Sequence, residues 1–295
     1  MIRIFVLCFG LCLISFSKIF AQDSNLLDLV KDSVAEIDYV TNAFKSTRVI
    51  NGQSIEMLGA GSLDFRILHR FGPINSGANQ LFGLDQSTVR FSFDYAPFKD
   101  LLVGVGRSSL KKELDGFIKY RLLHQSHGSR EMPISVILVA GMTLETLPWD
   151  DLTIPNYFTS RLGYFQQIIV GSKMSDMLSL QISPTIVHRN LVEVPSNPQD
   201  SINTIFAVGF GGRIKITNRI ALTVDYYHAF NGMVKGLNYD ALAVGFDIET
   251  GGHIFQVHIS NSVGMNERAF IMDTSNNWAK GGIQLGFNIS RIFQL

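Results

Sequence analysis

The C-terminal stretch IQLGFNISRIFQL, residues 283–295, alternates apolar and polar or small side chains at a period of two. The large apolar residues Leu285, Phe287 and Ile289 are separated by Gly286 and Asn288. Successive side chains of a β-strand point to opposite faces, so this pattern predicts a strand with one apolar and one polar face. The chain therefore ends on an amphipathic strand.

The same alternation recurs upstream, and it predicts about twelve strands, each close to the roughly 9 to 11 residues that a tilted membrane strand needs. An even strand count suits a closed antiparallel barrel. We therefore predict an all-β fold, a closed up-and-down transmembrane β-barrel preceded by a short helical or irregular segment. The predicted strands lie near residues 63–67, 89–95, 100–109, 114–123, 133–142, 159–171, 178–182, 203–215, 220–227, 242–248, 253–260 and 283–293.

The predicted connections alternate in length, which supports the barrel. Long loops on one side and tight turns on the other are typical of outer-membrane barrels with both termini in the periplasm. Connections at 108–113 and 123–131 fit this rule poorly. The short connections lie at 96–99, 172–175, 217–218 and 250–252, and the long ones at 72–86, 143–158, 189–202 and 261–280.

Composition excludes other classes of protein. With 46% hydrophobic and 17% charged residues the chain is too apolar to be disordered. The 25 Lys and Arg balance the 25 Asp and Glu, so no field steers the protein to nucleic acid. A soluble β-sandwich also alternates, but here the faces opposite the apolar ones mix Asp, Arg, Ser and Gly as a wet lumen would. Aromatic residues also cluster at strand ends, as in Tyr226 with Tyr227, whereas a sandwich would need them only in its core.

The N-terminus predicts export. Residues 1–21 combine Arg3 with a short apolar core, as a secretory signal peptide does. Both cysteines, Cys8 and Cys12, lie in this segment, so the mature chain is predicted to be cysteine-free. Residues 22–59 then contain a predicted amphipathic helix and a polar stretch that either enters the lumen, caps the periplasmic mouth or acts as a spacer. The barrel occupies residues 60–295.

Charged residues on the polar strand faces are the candidate ligand-binding site. In a closed barrel these faces line the lumen, and the first and last strands are neighbours. The mixed signs predict either a polar constriction that selects small solutes or a salt-bridged filling, and we favour the filling. The candidates are Asp64, Arg66, Arg90, Asp94, Asp115, Lys119, Arg121, Asp225 and Asp247.

The sequence predicts no metal, no cofactor and no catalytic residue. His124 and His127 have close spacing but no third ligand nearby, so we interpret them as polar turn residues. His258 and Ser260 share one strand face, as a base and a nucleophile would. That face also carries Gln256, so the pair is predicted to point into the lumen, away from bilayer lipid.

Five stretches in order carry a family resemblance. Together they resemble a family of Gram-negative outer-membrane β-barrel proteins of unknown function, over about residues 44–295. The resemblance implies an outer-membrane barrel and supplies no substrate. The stretches are FKSTRVI (44–50), HRFGP (69–73), LFGLD (81–85), VGVGRSS (103–109) and FNISR (287–291).

Three functions follow as hypotheses. The first is passage or binding of a small solute through the lumen. The second is a structural or surface-recognition role through long loops such as 143–158 and 261–280. The third is a lipid-modifying enzyme centred on His258 and Ser260. The expected partners are outer-membrane lipid, the outer-membrane barrel insertion machinery and a small solute, with no nucleic acid.

Overall fold

The computed structural model describes residues 36–149, 152–153, 155–191, 202–232 and 236–295. The predicted signal peptide and all but the end of the predicted amphipathic helix lie outside these residues. The chain divides into two units. The first includes the described residues 36–38 and 127–131, and the second consists of Tyr39–Ser126 with Met132–Leu295.

The described residues are organised almost entirely in β-strands. Their bounds are β1 (Ile37–Tyr39), β2 (Ser62–Pro73), β3 (Ser87–Phe98), β4 (Leu101–Ser108), β5 (Leu114–Leu123), β6 (Ser126–Gly128), β7 (Ser135–Leu144), β8 (Leu162–Lys173), β9 (Leu178–Arg189), β10 (Thr204–Lys215), β11 (Ile220–Ala229), β12 (Ala241–Thr250), β13 (His253–Ser260) and β14 (Gln284–Gln294).

Twelve of these strands close into one antiparallel barrel, as predicted. Each barrel strand pairs with its sequence neighbour in the barrel, and β14 pairs with β2 to complete the cylinder, with Gln294 opposite Ser62. Closure leaves no free sheet edge, which is what allows strands to cross a membrane. The remaining two strands, β1 and β6, form a separate two-stranded sheet.

Burial alternates along the barrel strands with the predicted phase. In β2 the residues from Ser62 to Arg70 are alternately buried and half-buried. The half-buried residues face outward, and they include the apolar Leu63, Phe65 and Ile67. Strands β2 and β9 extend further than the prediction. In β2 the reason is Leu68, which puts an apolar side chain on the inner face directly after the predicted end. In β9 the reason is Pro184, which interrupts the run of apolar residues on the outward face.

The two connections that broke the length rule are real features of the fold. Residues 109–113 between β4 and β5 form a tight connection with a single 3-10 turn, although they lie on the long-loop side. Residues 124–134 between β5 and β7 are long, although they lie on the side of the tight turns, because this connection contains β6. The predicted strands on either side were nevertheless correct.

One α-helix, α1 (Glu267–Met272), forms in the long β13–β14 connection, and the side chain of Asn266 caps it by accepting from the N–H of Ala269 at 2.9 Å. All six residues of α1 are buried. Among the described residues no helix is long and apolar enough to cross a membrane.

Candidate functional site

Residues 43–58, here called the plug, lie inside the barrel as a hairpin. The carbonyl of Gly52 accepts from the N–H of Val49 at 2.8 Å, and that of Thr47 accepts from the N–H of Ser54 at 3.0 Å. Most of the plug is buried, and Phe44 belongs to the same apolar cluster as inward-facing side chains of the wall. The sequence left three positions open for this segment, and the structure places it in the lumen.

The tip of the plug is held by a single carboxylate on β11. Oδ2 of Asp225 accepts three backbone N–H groups, from Ile50 at 3.3 Å, Asn51 at 2.7 Å and Gly52 at 2.9 Å. A Cβ on Gly52 would lie 2.2 Å from the hydroxyl oxygen of Tyr227, so only glycine lets the turn approach the wall this closely. Asp225 is therefore the main anchor of the turn.

Other wall residues bind the plug backbone directly. Nζ of Lys119 donates to the carbonyls of Thr47 at 3.0 Å and Glu56 at 2.8 Å. The side-chain amide of Gln181 donates to the carbonyl of Gln53 at 2.7 Å and accepts from the N–H of Ile55 at 3.0 Å. Because the hairpin has few internal backbone hydrogen bonds, these wall groups satisfy polar atoms that burial would otherwise leave unpaired.

Helix α1 fills the lumen from the long-loop side and meets the plug. Nη1 of Arg48 lies 2.9 Å from Oε1 of Glu267, and both side chains are only 1% exposed. Arg268 binds Glu113 at 2.6 Å and Asp273 at 2.8 Å, which joins the helix to the β4–β5 connection. The lumen is therefore occupied from both ends, and one buried ion pair links the two segments.

Eight of the nine predicted site residues lie buried on the inner face. They are Asp64, Arg66, Arg90, Asp94, Asp115, Lys119, Asp225 and Asp247. Two close ion pairs form among them, Arg66 with Asp64 at 2.5 Å and Arg90 with Asp115 at 2.5 Å. Neither carboxylate oxygen of Asp94 has a hydrogen-bond partner among the described residues.

The ninth predicted residue, Arg121, lies at the tight-turn end of this cluster. Arg121 keeps the inward phase of β5, but it lies near the end of that strand on the side of the tight turns. There its Nε donates to Asp100 at 2.8 Å, and the Asp100 side chain is 47% exposed. The Arg121 side chain itself is only 9% exposed, so its place among the lumen residues stays a prediction.

Tyr227 also differs from the prediction. It was expected in an aromatic girdle beside Tyr226, but it points inward and is buried, and its hydroxyl oxygen accepts from the side-chain amide of Gln167 at 2.9 Å. The alternation itself contained this information, because adjacent residues of a strand cannot share a face.

Sequence reasoning missed several residues of the filled lumen, among them four charged ones. Arg70 continues the inward phase of β2 and binds the side-chain oxygen of Asn51 at 2.7 Å, so the period-two pattern would have identified it. Arg48, Glu113 and Glu267 lie outside the barrel strands, where no periodicity marks which side chains enter the interior.

The candidate catalytic and metal-binding residues are not brought together as a reactive centre. His258 and Ser260 are buried on the inner face, and the Ser260 hydroxyl accepts from the N–H of Ser262 at 3.0 Å. Nε2 of His124 lies 2.8 Å from the carbonyl oxygen of Val40. Within the described ranges no group of three or more His, Cys, Asp or Glu side chains is placed to hold a metal ion.

Residues 44–293 match a family described as a membrane bound beta barrel domain (DUF5777). The chain belongs to this family. The match covers all but the first residue of the plug and all of the barrel strands except the last residue of β14, and it agrees with the family resemblance of the sequence. A comparison with curated proteins finds no match.

Two solved outer-membrane barrels are similar to this DUF5777 barrel. The NanC porin superposes with a TM-score of 0.50 at 9% identity, over 79% of this chain and 100% of that chain. An outer membrane channel from Pseudomonas putida F1 gives a TM-score of 0.44 at 13% identity, over 81% of this chain and 98% of that chain. At these identities the likeness concerns the fold alone.

Breaking the Arg48–Glu267 pair of the DUF5777 barrel should lower the free energy of unfolding far more than breaking a surface ion pair. Glu267→Gln leaves the Arg48 charge buried without its partner, so the free energy of unfolding should fall by about 3–5 kcal/mol. Asp100→Asn, which breaks the half-exposed pair with Arg121, should cost less than about 1 kcal/mol. Urea unfolding of both refolded variants measures the difference, and equal losses would contradict the prediction.

Acid should release α1 only at very low pH. Burial raises the pKa of Asp273, but Arg268, Lys111 and Arg189 outweigh burial and hold the pKa below its usual value of 3.8. A lowered carboxyl pKa contributes stability that is present above 3.8 and is lost as the pH falls through the native pKa. Hydrogen exchange of the 267–272 peptide should therefore be the same at pH 5 and 7 once intrinsic rates are corrected, and release near neutral pH would contradict this assignment.

Proposed function

We propose that this barrel resides in the outer membrane and admits a small polar solute when the plug leaves the lumen. The observation that carries the proposal is the polar interface between plug and wall. Asp225, Lys119 and Gln181 hold the plug through its backbone groups, and water or a solute can take over each of these hydrogen bonds.

The lining favours a neutral or zwitterionic solute. Cationic and acidic side chains alternate on the inner wall, and the pairs Arg66–Asp64 and Arg90–Asp115 neutralise each other. A ring of one sign would select an ion of the opposite charge, whereas mixed charges favour solutes with both donors and acceptors.

The test is solute flux into vesicles that contain the refolded protein. Full-length mature chain should exclude small sugars and amino acids, and a variant lacking residues 40–58 should admit them faster than it admits simple anions or cations. Folding of both is checked first by the heat-modifiable migration that closed barrels show on gels. Exclusion by both folded proteins would contradict solute passage.

A second candidate, surface recognition, is favoured by one observation. The β7–β8 connection exposes apolar side chains to solvent, with Leu152 81%, Tyr157 65% and Phe158 64% exposed. Exposed apolar groups on a loop are typical of contact surfaces. Replacing residues 152–158 by a Gly-Ser linker should leave the solute flux unchanged but reduce the attachment of cells to the surface that the loop recognises. A loss of attachment without a change in flux would distinguish surface recognition from solute passage.

The predicted recognition role for the other long loop has less support, because α1 buries the centre of the 261–280 connection. The positions of His258 and Ser260 do not favour the lipid-modifying alternative. His258 and Ser260 face the lumen, where they are separated from bilayer lipid by the barrel wall.

A further inference from the structure

Asn51, at the tip of the plug, bridges two buried wall residues of opposite charge. Its backbone N–H donates to Oδ2 of Asp225 at 2.7 Å, and its side-chain oxygen accepts from Nη2 of Arg70 at 2.7 Å. Asp225 lies on β11 and Arg70 on β2, so the tip joins separate parts of the wall. A single residue of the plug therefore presents a donor to an acid and an acceptor to a base.

Neither of these two wall charges has a counter-ion. Arg70 is wholly buried, and it donates to the side-chain oxygens of two asparagines and to one backbone carbonyl, all of them neutral. In the described part of the chain neither Arg70 nor Asp225 forms an ion pair, whereas the equally buried Arg48 and Glu267 form one at 2.9 Å. A buried charge is costly unless an opposite charge compensates it. The neutral plug tip thus satisfies hydrogen bonds of the two groups but not their charges.

Arg70 also has a second donor on the edge that contacts the plug. Its Nε is buried and has no hydrogen-bond partner among the described residues. Arg90 shows what this edge of a guanidinium binds, because its Nε and Nη2 contact the two carboxylate oxygens of Asp115 at 2.8 Å and 2.5 Å. The single oxygen of Asn51 engages only Nη2 of Arg70. A carboxylate in the same place engages both donors.

His258 lies beside Arg70 on the inner face. A Cβ on Gly286 would lie 2.4 Å from Nε2 of His258 and 2.9 Å from Cδ of Arg70, so both side chains lie over that glycine. His258 is only 2% exposed, and neither of its ring nitrogens has a hydrogen-bond partner within the described ranges. A neutral imidazole offers one donor and one acceptor. The wall here therefore has more polar groups than the plug tip engages.

We propose that the plug tip occupies the binding site of a small zwitterionic amino acid, whose carboxylate binds Arg70 and whose ammonium binds Asp225. In Asn51 two carbons, Cα and Cβ, separate the backbone nitrogen from the side-chain carbonyl carbon, as two carbons separate the ammonium from the carboxylate in β-alanine. The amino acid supplies a full charge at each end, where the plug supplies only a dipole. This inference rests on the proposed function, because the site is free only when the plug leaves.

The test compares three small molecules of similar length on the full-length mature chain. β-Alanine carries both charges, propionate only the carboxylate and propylamine only the ammonium. Hydrogen exchange of the peptide that contains residues 48–54, in detergent micelles at matched ionic strength, reports displacement of the plug tip. β-Alanine should loosen the turn at concentrations at least about 10-fold lower than either analogue, because hydrogen bonds to a charged group strengthen binding by about 10- to 100-fold. Equal effects of all three, or no effect of β-alanine, would overturn the proposal.

Arg70→Gln tests the carboxylate end of the site. In this variant β-alanine should act no better than propylamine, and any general loosening of the plug cancels because both molecules are compared on the same protein. Arg213→Gln is the matched control. Arg213 is also buried and donates to the plug, at 3.3 Å to the carbonyl of Ala43, but it lies near the tight-turn end of β10. The control should keep the full preference for β-alanine, and a preference that survives in Arg70→Gln would overturn the assignment.

The vesicle flux assay distinguishes this inference from solute passage. Loosening of the plug by β-alanine in a barrel that passes no solute would support the binding site and contradict passage. Flux of small sugars through the plug-deleted barrel, with no response of the full-length chain to β-alanine, would support passage and overturn the binding site.

Discussion

Removing residues 40–58 should turn a closed barrel into a conducting one. The full-length mature chain should give no current steps in a planar bilayer, whereas the truncated chain should give discrete steps. The reason is that Lys119 and Asp225 lose their plug partners and become hydrated. A water-filled path lined by polar wall side chains then runs along the lumen. Conductance should lie below that of wide porins, because a twelve-stranded lumen is narrower than one of 16 to 18 strands.

Helix α1 should limit the current that remains. It fills the long-loop end of the lumen, so replacing residues 266–273 by a Gly-Ser linker in the plug-deleted chain should raise the step size further. The same replacement in the full-length chain should leave the barrel closed. These two results would distinguish the plug, which closes the barrel, from α1, which only narrows the opened lumen.

A chain lacking only residues 22–35 is the matched control for the truncation. It shortens the N-terminus but keeps the plug, so it should behave like the full-length chain. Current steps in that control, or silence in the folded plug-deleted chain, would contradict the assignment of residues 43–58 as the closing element.

Asp225→Ala should release the tip of the plug. The substitution leaves three buried N–H groups without an acceptor, and each such group costs about 1–3 kcal/mol. Docking of the turn should therefore weaken by about 3 kcal/mol or more, which corresponds to a fall of about 100-fold or more in its hydrogen-exchange protection. Asp225→Asn keeps one oxygen acceptor and should show a smaller fall.

The measurement is hydrogen exchange of the peptide that contains residues 48–54, followed by mass spectrometry in detergent micelles. Asp100→Asn is the control, because the half-exposed Asp100 side chain pairs with Arg121 at 2.8 Å at the tight-turn end of the wall. Exchange of the turn should be nearly unchanged in that variant. A turn that stays protected in Asp225→Ala would show that another contact holds the plug.

Opening requires the plug to leave two anchors. Its tip must leave Asp225, which accepts three backbone hydrogen bonds from it. Arg48 must also separate from Glu267, and this step has a large cost because both charges are buried. A solute or partner that binds in place of the plug must offset that cost.

The sequence by itself determined the barrel. Strand number, strand order and the inward or outward side of most wall residues follow from a period of two, which is a local property of an extended chain. The membrane makes this pattern unusually readable, because one face of each strand meets lipid and the other meets a polar interior. Tyr227 was misplaced for a local reason, because two adjacent aromatic residues of one strand were both expected at the membrane surface.

Only the tertiary structure decided what fills the barrel. The plug has no periodicity, and its polar residues suit a spacer as well as a lumen segment. Its contacts join residues far apart in sequence. The residue numbers differ by 174 for Asn51 and Asp225 and by 219 for Arg48 and Glu267. No local pattern encodes such pairings. They arise because closing the barrel encloses charged side chains that must find partners, and the hairpin and α1 provide them.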